Sequence, residues 1–106
     1  MGKKRNKNPE EEISAKIRLP RDDEILGVVV EYYGGNQMKV RCKDGVERHC
    51  FRKPKTRGGR IREGDVVLVK PWIYTPSKAD VIVKYRPIEV EWLIKNGYLT
   101  EDDIKI

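Results

Sequence analysis

The chain has 106 residues, of which 38% are hydrophobic and 38% charged, and its formal net charge is +6. That length supports one domain around one small core. No apolar run approaches 18 residues and no apolar stretch follows the basic start, so neither a transmembrane helix nor a secretory leader is expected.

Residues 1–12 open with Lys3, Lys4, Arg5 and Lys7 and continue into Glu10-Glu11-Glu12. Nothing there can bury a core, so residues 1–12 are predicted to be a disordered basic arm. Residues 13–99 form the predicted domain, and its first nine residues are a transition in which Pro20 argues against a helix. Residues 24–33 hold Ile25, Leu26, Val28, Val29, Val30, Tyr32 and Tyr33, the β-branched and aromatic types that favour strands. Gly34-Gly35-Asn36 is a turn. Residues 37–43 alternate, with Met38, Val40 and Cys42 on one face and Lys39, Arg41 and Lys43 on the other. A period of two marks a half-buried strand. Asp44-Gly45 then signals a hairpin, and residues 46–51 form the return strand. Residues 52–60 contain Pro54, Gly58 and Gly59 and no apolar side chain, so a loop is expected. Glu63-Gly64-Asp65 turns into the buried strand 66–69, and Pro76-Ser77-Lys78 turns into a last alternating strand, 79–85.

One helix follows. Pro87 suits its first turn, Val90, Leu93 and Ile94 share a face, and Gly97 suits the position just past its end. Glu89 and Glu91 sit near the positive end of the helix dipole and Lys95 near the negative end. Five short strands in so short a domain leave exposed edges unless the sheet closes. The predicted fold is therefore all-β: a five-stranded OB-fold barrel with one short C-terminal helix and disordered termini, with an SH3-like barrel as the competing architecture.

Charge is concentrated. Residues 37–62 carry Lys39, Arg41, Lys43, Arg48, Arg52, Lys53, Lys55, Arg57, Arg60 and Arg62 against only Asp44 and Glu47. That is a local +8 within a chain of +6. Solvated charges opposite a core face would account for one such row. A row continued into a basic loop repels itself, and a phosphate backbone relieves the repulsion. These ten residues are the candidate RNA-binding set. Aromatics look sparse beside them, which favours a structured RNA read by shape and phosphates over stacked single strands.

Signals for catalysis are weak. His49 is the one histidine, and Arg57-Gly58-Gly59-Arg60 lacks the spacing of a phosphate loop. Cys42, His49 and Cys50 have the wrong spacing for zinc. The two cysteines are not opposite one another in either a two- or a three-residue loop register. They read as free core thiols in a reducing, cytoplasmic compartment. No enzyme activity, cofactor or metal is expected.

Glu24-Ile25-Leu26-Gly27-Val28-Val29 is followed in order by Met38-Lys39-Val40-Arg41-Cys42-Lys43-Asp44-Gly45. Then come Arg62-Glu63-Gly64-Asp65-Val66-Val67-Leu68-Val69-Lys70-Pro71-Trp72, Lys78-Ala79-Asp80-Val81-Ile82-Val83-Lys84-Tyr85 and Val90-Glu91-Trp92-Leu93. This series resembles the archaeal translation initiation factor 1A family across residues 13–99. The resemblance implies an OB barrel with a C-terminal helix and a monomer that binds small ribosomal subunit RNA at the aminoacyl-tRNA site. It further implies help in placing initiator tRNA and selecting the start codon. Its implied partners are the other initiation factors, including the subunit-joining GTPase. The family usually carries a Gly-Lys-Leu-Arg-Lys-like loop and an aromatic before the fourth strand. Residues 52–61 keep the charge without the leucine or the tryptophan.

The acidic tail, residues 100–106, reads Thr-Glu-Asp-Asp-Ile-Lys-Ile. It is either a solubilising end or a docking segment. Asp102-Asp103-Ile104 resembles a shortened form of the acidic-isoleucine ending with which eukaryotic relatives contact the GTPase. Two other classes stay open: a general OB-fold RNA binder or RNA chaperone, and a module for an acidic protein.

Overall fold

In the computed structural model the described residues are 17–105, so the expected arm at 1–12 lies outside them. Five strands appear in chain order: β1 (Ile25–Gly34), β2 (Gln37–Cys42), β3 (Glu47–Arg57), β4 (Val66–Pro71) and β5 (Lys78–Lys84). They close into a barrel in the order β1-β2-β3-β5-β4. All pairs are antiparallel except β3 with β5. This closed five-stranded order is an OB-fold, and closure leaves no open edge. One helix, α1 (Pro87–Lys95), packs outside it.

The β2–β3 hairpin takes the three-residue loop. Met38 faces Cys50 and Val40 faces Arg48, while the Cys42 N–H donates to the Val46 carbonyl at 2.9 Å. Gly45 closes that loop at φ +86, a backbone region in which a Cβ is strained. Cys42 and Cys50 are both free and buried. Burial pushes both thiols up, that of Cys50 to about 12.

Alternation along β2 and β5 sends Met38, Val40, Cys42, Ala79 and Val81 into the barrel, where they meet Val29, Cys50, Ile61, Val67 and Val69. The unbroken apolar run of β4 has a different cause: it is covered on both sides. Val67 and Val69 face the interior. Val66 and Leu68 face a second cluster with Leu26, Val83, Tyr85, Leu93 and Leu99. Helix α1 supplies Leu93 to this outer core, with Val90 and Ile94 beside it. The Glu89 carboxylate accepts from the Arg86 N–H at 2.7 Å and satisfies one orphan donor at the helix start. At the other end Gly97 adopts φ +84. The Tyr98 N–H then reaches the Leu93 carbonyl at 2.9 Å, and the Gly97 N–H reaches Ile94 at 3.2 Å. That bond pair is a Schellman stop.

The approach to β1 is pinned as well. Ile17 and Leu19 pack on the outer core, and the Tyr85 hydroxyl donates to the Arg18 carbonyl. Arg18 makes two bonds to the Glu24 carboxylate, at 2.9 and 2.8 Å. Burial alone would raise that carboxyl, but the guanidinium and the Arg21 N–H hold it below its usual range.

The expected loop at 52–60 is partly strand, because β3 continues to Arg57. Past Phe51 the chain leaves β2 and runs parallel to β5, with Arg52 beside Val81 and Arg57 beside Val83. The four residues between them bulge, which is where a proline without an N–H can sit. Thr56 fills the inward position: its hydroxyl donates to the Val81 carbonyl at 2.7 Å and accepts from the Lys53 N–H at 3.0 Å. A strand held by a threonine and a proline bulge has no apolar alternation to reveal it.

Candidate nucleic-acid interface

Lys39 and Arg41 lie half-buried on the outer face of β2, and Lys43 is exposed in the hairpin loop. Lys53, Lys55 and Arg57 are exposed along the far half of β3, Arg60 and Arg62 are exposed in the connection to β4, and Arg52 is half-buried. Glycine is required in this connection. At Gly58, φ is +111 and a Cβ would lie 2.2 Å from the Lys84 carbonyl oxygen. Lys84 caps the same turn, donating to the Arg60 carbonyl at 2.8 Å and pairing with Asp65 at 3.6 Å. A basic loop is thereby held against the barrel wall.

Five of the ten cations have partners within the chain: Lys39 lies 3.8 Å from Glu31 and from Glu47, Lys53 lies 3.6 Å from Asp80, Arg52 donates to the Gly59 carbonyl, and Arg48 and Arg41 are held more closely still. Arg48 is 9% exposed. Its guanidinium meets both Asp44 oxygens, at 3.2 and 3.1 Å, and the Pro76 carbonyl at 2.7 Å. Hydrogen bonding to Arg48 holds the Asp44 carboxyl below the ordinary range. Arg48 thus ties the hairpin loop to the β4–β5 loop. The parity it shares with inward Cys50 is the sequence signal for this. Arg41 faces outward, and its Nη2 donates to the carbonyls of Asp103, at 3.4 Å, and of Lys105.

The tail is built onto the barrel. Asp102–Ile104 is a 3-10 turn. Thr100 and Asp103 cap one another, N–H to side-chain oxygen, at 2.9 and 3.2 Å. Ile104 packs against the outer core, while Asp102 projects outward with Lys105 3.7 Å away.

The expected scarcity of aromatics beside the cations does not hold, because the fold assembles an aromatic row there. Tyr33, His49, Phe51 and Trp72 come from the end of β1, from β3 and from the segment after β4. Successive ring centroids are 5.3, 4.9 and 5.2 Å apart. Lys78 Nζ lies 5.7 Å from the Trp72 ring centroid. His49 Nε2 and Gln37 Oε1 are 2.8 Å apart. The row crosses the outer face of β3, beside the cations of β2. In the sequence only the shared parity of His49 and Phe51 hints at it.

Among the described residues no group of three or more His, Cys, Asp or Glu side chains could hold a metal ion, and no helix is long and apolar enough to cross a membrane.

Such a barrel, basic and aromatic on its strand 2–3 face, defines a small OB-fold protein built for binding. The family model for Translation initiation factor 1A / IF-1 matches residues 14–105. Translation initiation factor 1A of Methanopyrus kandleri is 45% identical over 101 residues, covering 94% of this chain and 91% of that protein. The Methanothermobacter thermautotrophicus factor is 47% identical over 87 residues, covering 79% and 87%. A solution structure of translation initiation factor IF-1 from a Wolbachia endosymbiont of Brugia malayi aligns with a TM-score of 0.47 and 25% identity, covering 60% of this chain and 78% of that one. The chain belongs to the translation initiation factor 1A / IF-1 family.

Proposed function

We propose that this chain is a non-enzymatic initiation factor that binds RNA of the small ribosomal subunit at the aminoacyl-tRNA site, where it helps place initiator tRNA and select the start codon. The observation that carries the reading is the outer basic surface of β2, β3 and the loop to β4 on a chain of this family. Lys39, Arg41, Lys43, Arg52, Lys53, Lys55, Arg57, Arg60 and Arg62 supply the phosphate contacts. Arg48 shapes the surface from behind, since its donors are spent on Asp44 and Pro76. Because phosphate contacts release counterions, small-subunit binding has a steep salt dependence. Neutralising about five phosphates gives a log–log slope of roughly −3 to −4 on the single-strand coefficient. Titrating labelled protein against purified subunits at several salt concentrations measures it. A flat dependence overturns the electrostatic reading, and tighter binding to free single-stranded RNA than to subunits favours a general RNA chaperone.

The tail belongs to a different partner. Asp102 and Asp103 oppose the patch in charge and suit a protein, and we assign them with Ile104 to the subunit-joining GTPase. Because Ile104 rests on the outer core and Arg41 holds the tail carbonyls, the segment is presented as a folded turn. Deleting residues 100–106 leaves small-subunit affinity nearly unchanged and weakens binding to the GTPase, as a side-by-side titration of full-length and truncated protein will read. Equal GTPase affinities remove the tail from the interface.

A further inference from the structure

We infer that the cleft between helix α1, the turn into β4 and the tail is a docking site for an apolar side chain of a protein partner, so that the protein taking the tail is held by a second contact on the barrel itself. The inference rests on the reading that the tail docks a protein and adds where that protein anchors. The cleft encloses about 490 Å³ and lies outside the basic face, walled by Val66, Tyr85, Val90 and Ile104. Preformed binding pockets run from roughly 300 to 1,000 Å³ and are lined mostly by apolar side chains.

The gap follows from how the chain leaves β5. Only Tyr85 and Arg86 separate that strand from Pro87, the first residue of α1, and the helix starts clear of the barrel. Leu93 is fully buried, whereas Val90, one turn earlier on the same face, is only half-buried. On the far side the tail turn sets Ile104, also half-buried, against the outer core. Val66 and Tyr85, each 2% exposed, close the bottom. Both walls are fixed before any partner arrives. The Gly64 N–H donates to the Val29 carbonyl at 2.8 Å, and the Arg62 N–H donates to the Asp65 carboxylate at 2.8 Å. Thr100 and Asp103 lock the tail turn. A rigid apolar recess with an accessible mouth is where protein interfaces seat their anchor residues.

Charge identifies the occupant as protein. The rim carries Arg62 and Lys84 against Glu63 and Asp65, so it is formally neutral. Lys84 lies 3.6 Å from Asp65, and Glu63 accepts from the Tyr32 N–H at 3.3 Å. Immediately before Ile104 the tail adds Asp102 and Asp103. A polyanion gains no net attraction from such a rim and is repelled by the tail acids. Ile104 is common to both contacts: it walls the cleft and directly follows the two acids, so a protein gripping the acids overlies the mouth. The Asp102 side chain is 90% exposed. The segment that fits is therefore an aliphatic or aromatic side chain with a basic neighbour, the apolar group in the cleft and the base against Asp102.

Titrating methyl-labelled full-length protein with the purified subunit-joining GTPase reads the cleft directly. The methyl signals of Val66, Val90 and Ile104 shift, while those of Val40 and Val67 inside the barrel do not. Val90→Phe fills the mouth from a half-buried helix position. It weakens GTPase binding roughly 10- to 100-fold and leaves small-subunit affinity unchanged. Shifts confined to Ile104, or wild-type GTPase affinity in Val90→Phe, overturn the cleft and leave the tail reading in place. No GTPase binding by the parent protein sinks both. Binding that needs the open cleft and ignores Asp102→Lys supports the cleft and removes the tail acids from the interface. Shifts of Val66 and Val90 produced by an unstructured RNA oligonucleotide and not by the GTPase overturn protein docking in favour of RNA. The methyl titration uses the parent chain, so it decides the question even where Val90→Phe melts early.

Discussion

Val67→Asp abolishes the fold. Val67 is fully buried in the barrel interior, with its backbone paired to Gly27 on one side and Lys84 on the other. The substitution removes about 1.5–3 kcal/mol of apolar burial. It also places a carboxylate among the apolar side chains and thiols of the interior cluster. The charged form costs several kcal/mol more. Small domains have about 5–15 kcal/mol in total, so the sum exhausts the stability of this one. Protonation is the only inexpensive escape. The folded-state carboxyl is therefore raised above its unfolded value, and what stability remains is present at acid pH and lost as pH rises. Circular dichroism shows an unfolded chain at neutral pH and partial recovery on acidification. A cooperative melt at neutral pH close to that of the parent protein contradicts the interior placement of Val67.

The largest effect on binding comes from reversing two loop cations together, Lys55→Glu and Arg57→Glu. Both side chains are exposed, so the melting temperature moves little. Each reversal deletes a charge-assisted contact worth about 1.5–3 kcal/mol and adds repulsion. Small-subunit affinity drops on the order of 100-fold or more at moderate salt. The log–log salt slope shallows by about one for each lost phosphate contact. Equilibrium binding at two salt concentrations reads both quantities. Normal affinity with an unchanged slope removes Lys55 and Arg57 from the interface. A variant that melts early instead assigns these two residues to the barrel.

Much of the barrel is legible in the chain because β2 and β5 alternate and turn residues bound the strands. Met38, Val40 and Cys42 alternate with Lys39 and Arg41, and the burial of β2 follows that alternation residue by residue. Gly45 and Gly97 mark a hairpin and a helix stop because their backbones take positive φ. Where a segment is held by side-chain hydrogen bonds, the pattern is silent. The far half of β3 rests on Thr56 and a bulge at Pro54, and neither enters a hydrophobic period.

Five strands in order, the two faces of β2, the helix and its stop, and the concentration of cations between residues 37 and 62 are written in the linear chain. Those features are local: propensity, period and turn chemistry act over a few residues. Which cations are held by distant parts of the chain is settled only by folding. Arg48 turns to Asp44 and Pro76, and Arg41 holds a tail that lies 62 residues further along the chain. Folding likewise makes one row of four rings from three separate segments. Barrel closure brings β3 beside both the β1–β2 turn and the segment after β4, and contacts of that sequence separation leave no trace in a linear pattern.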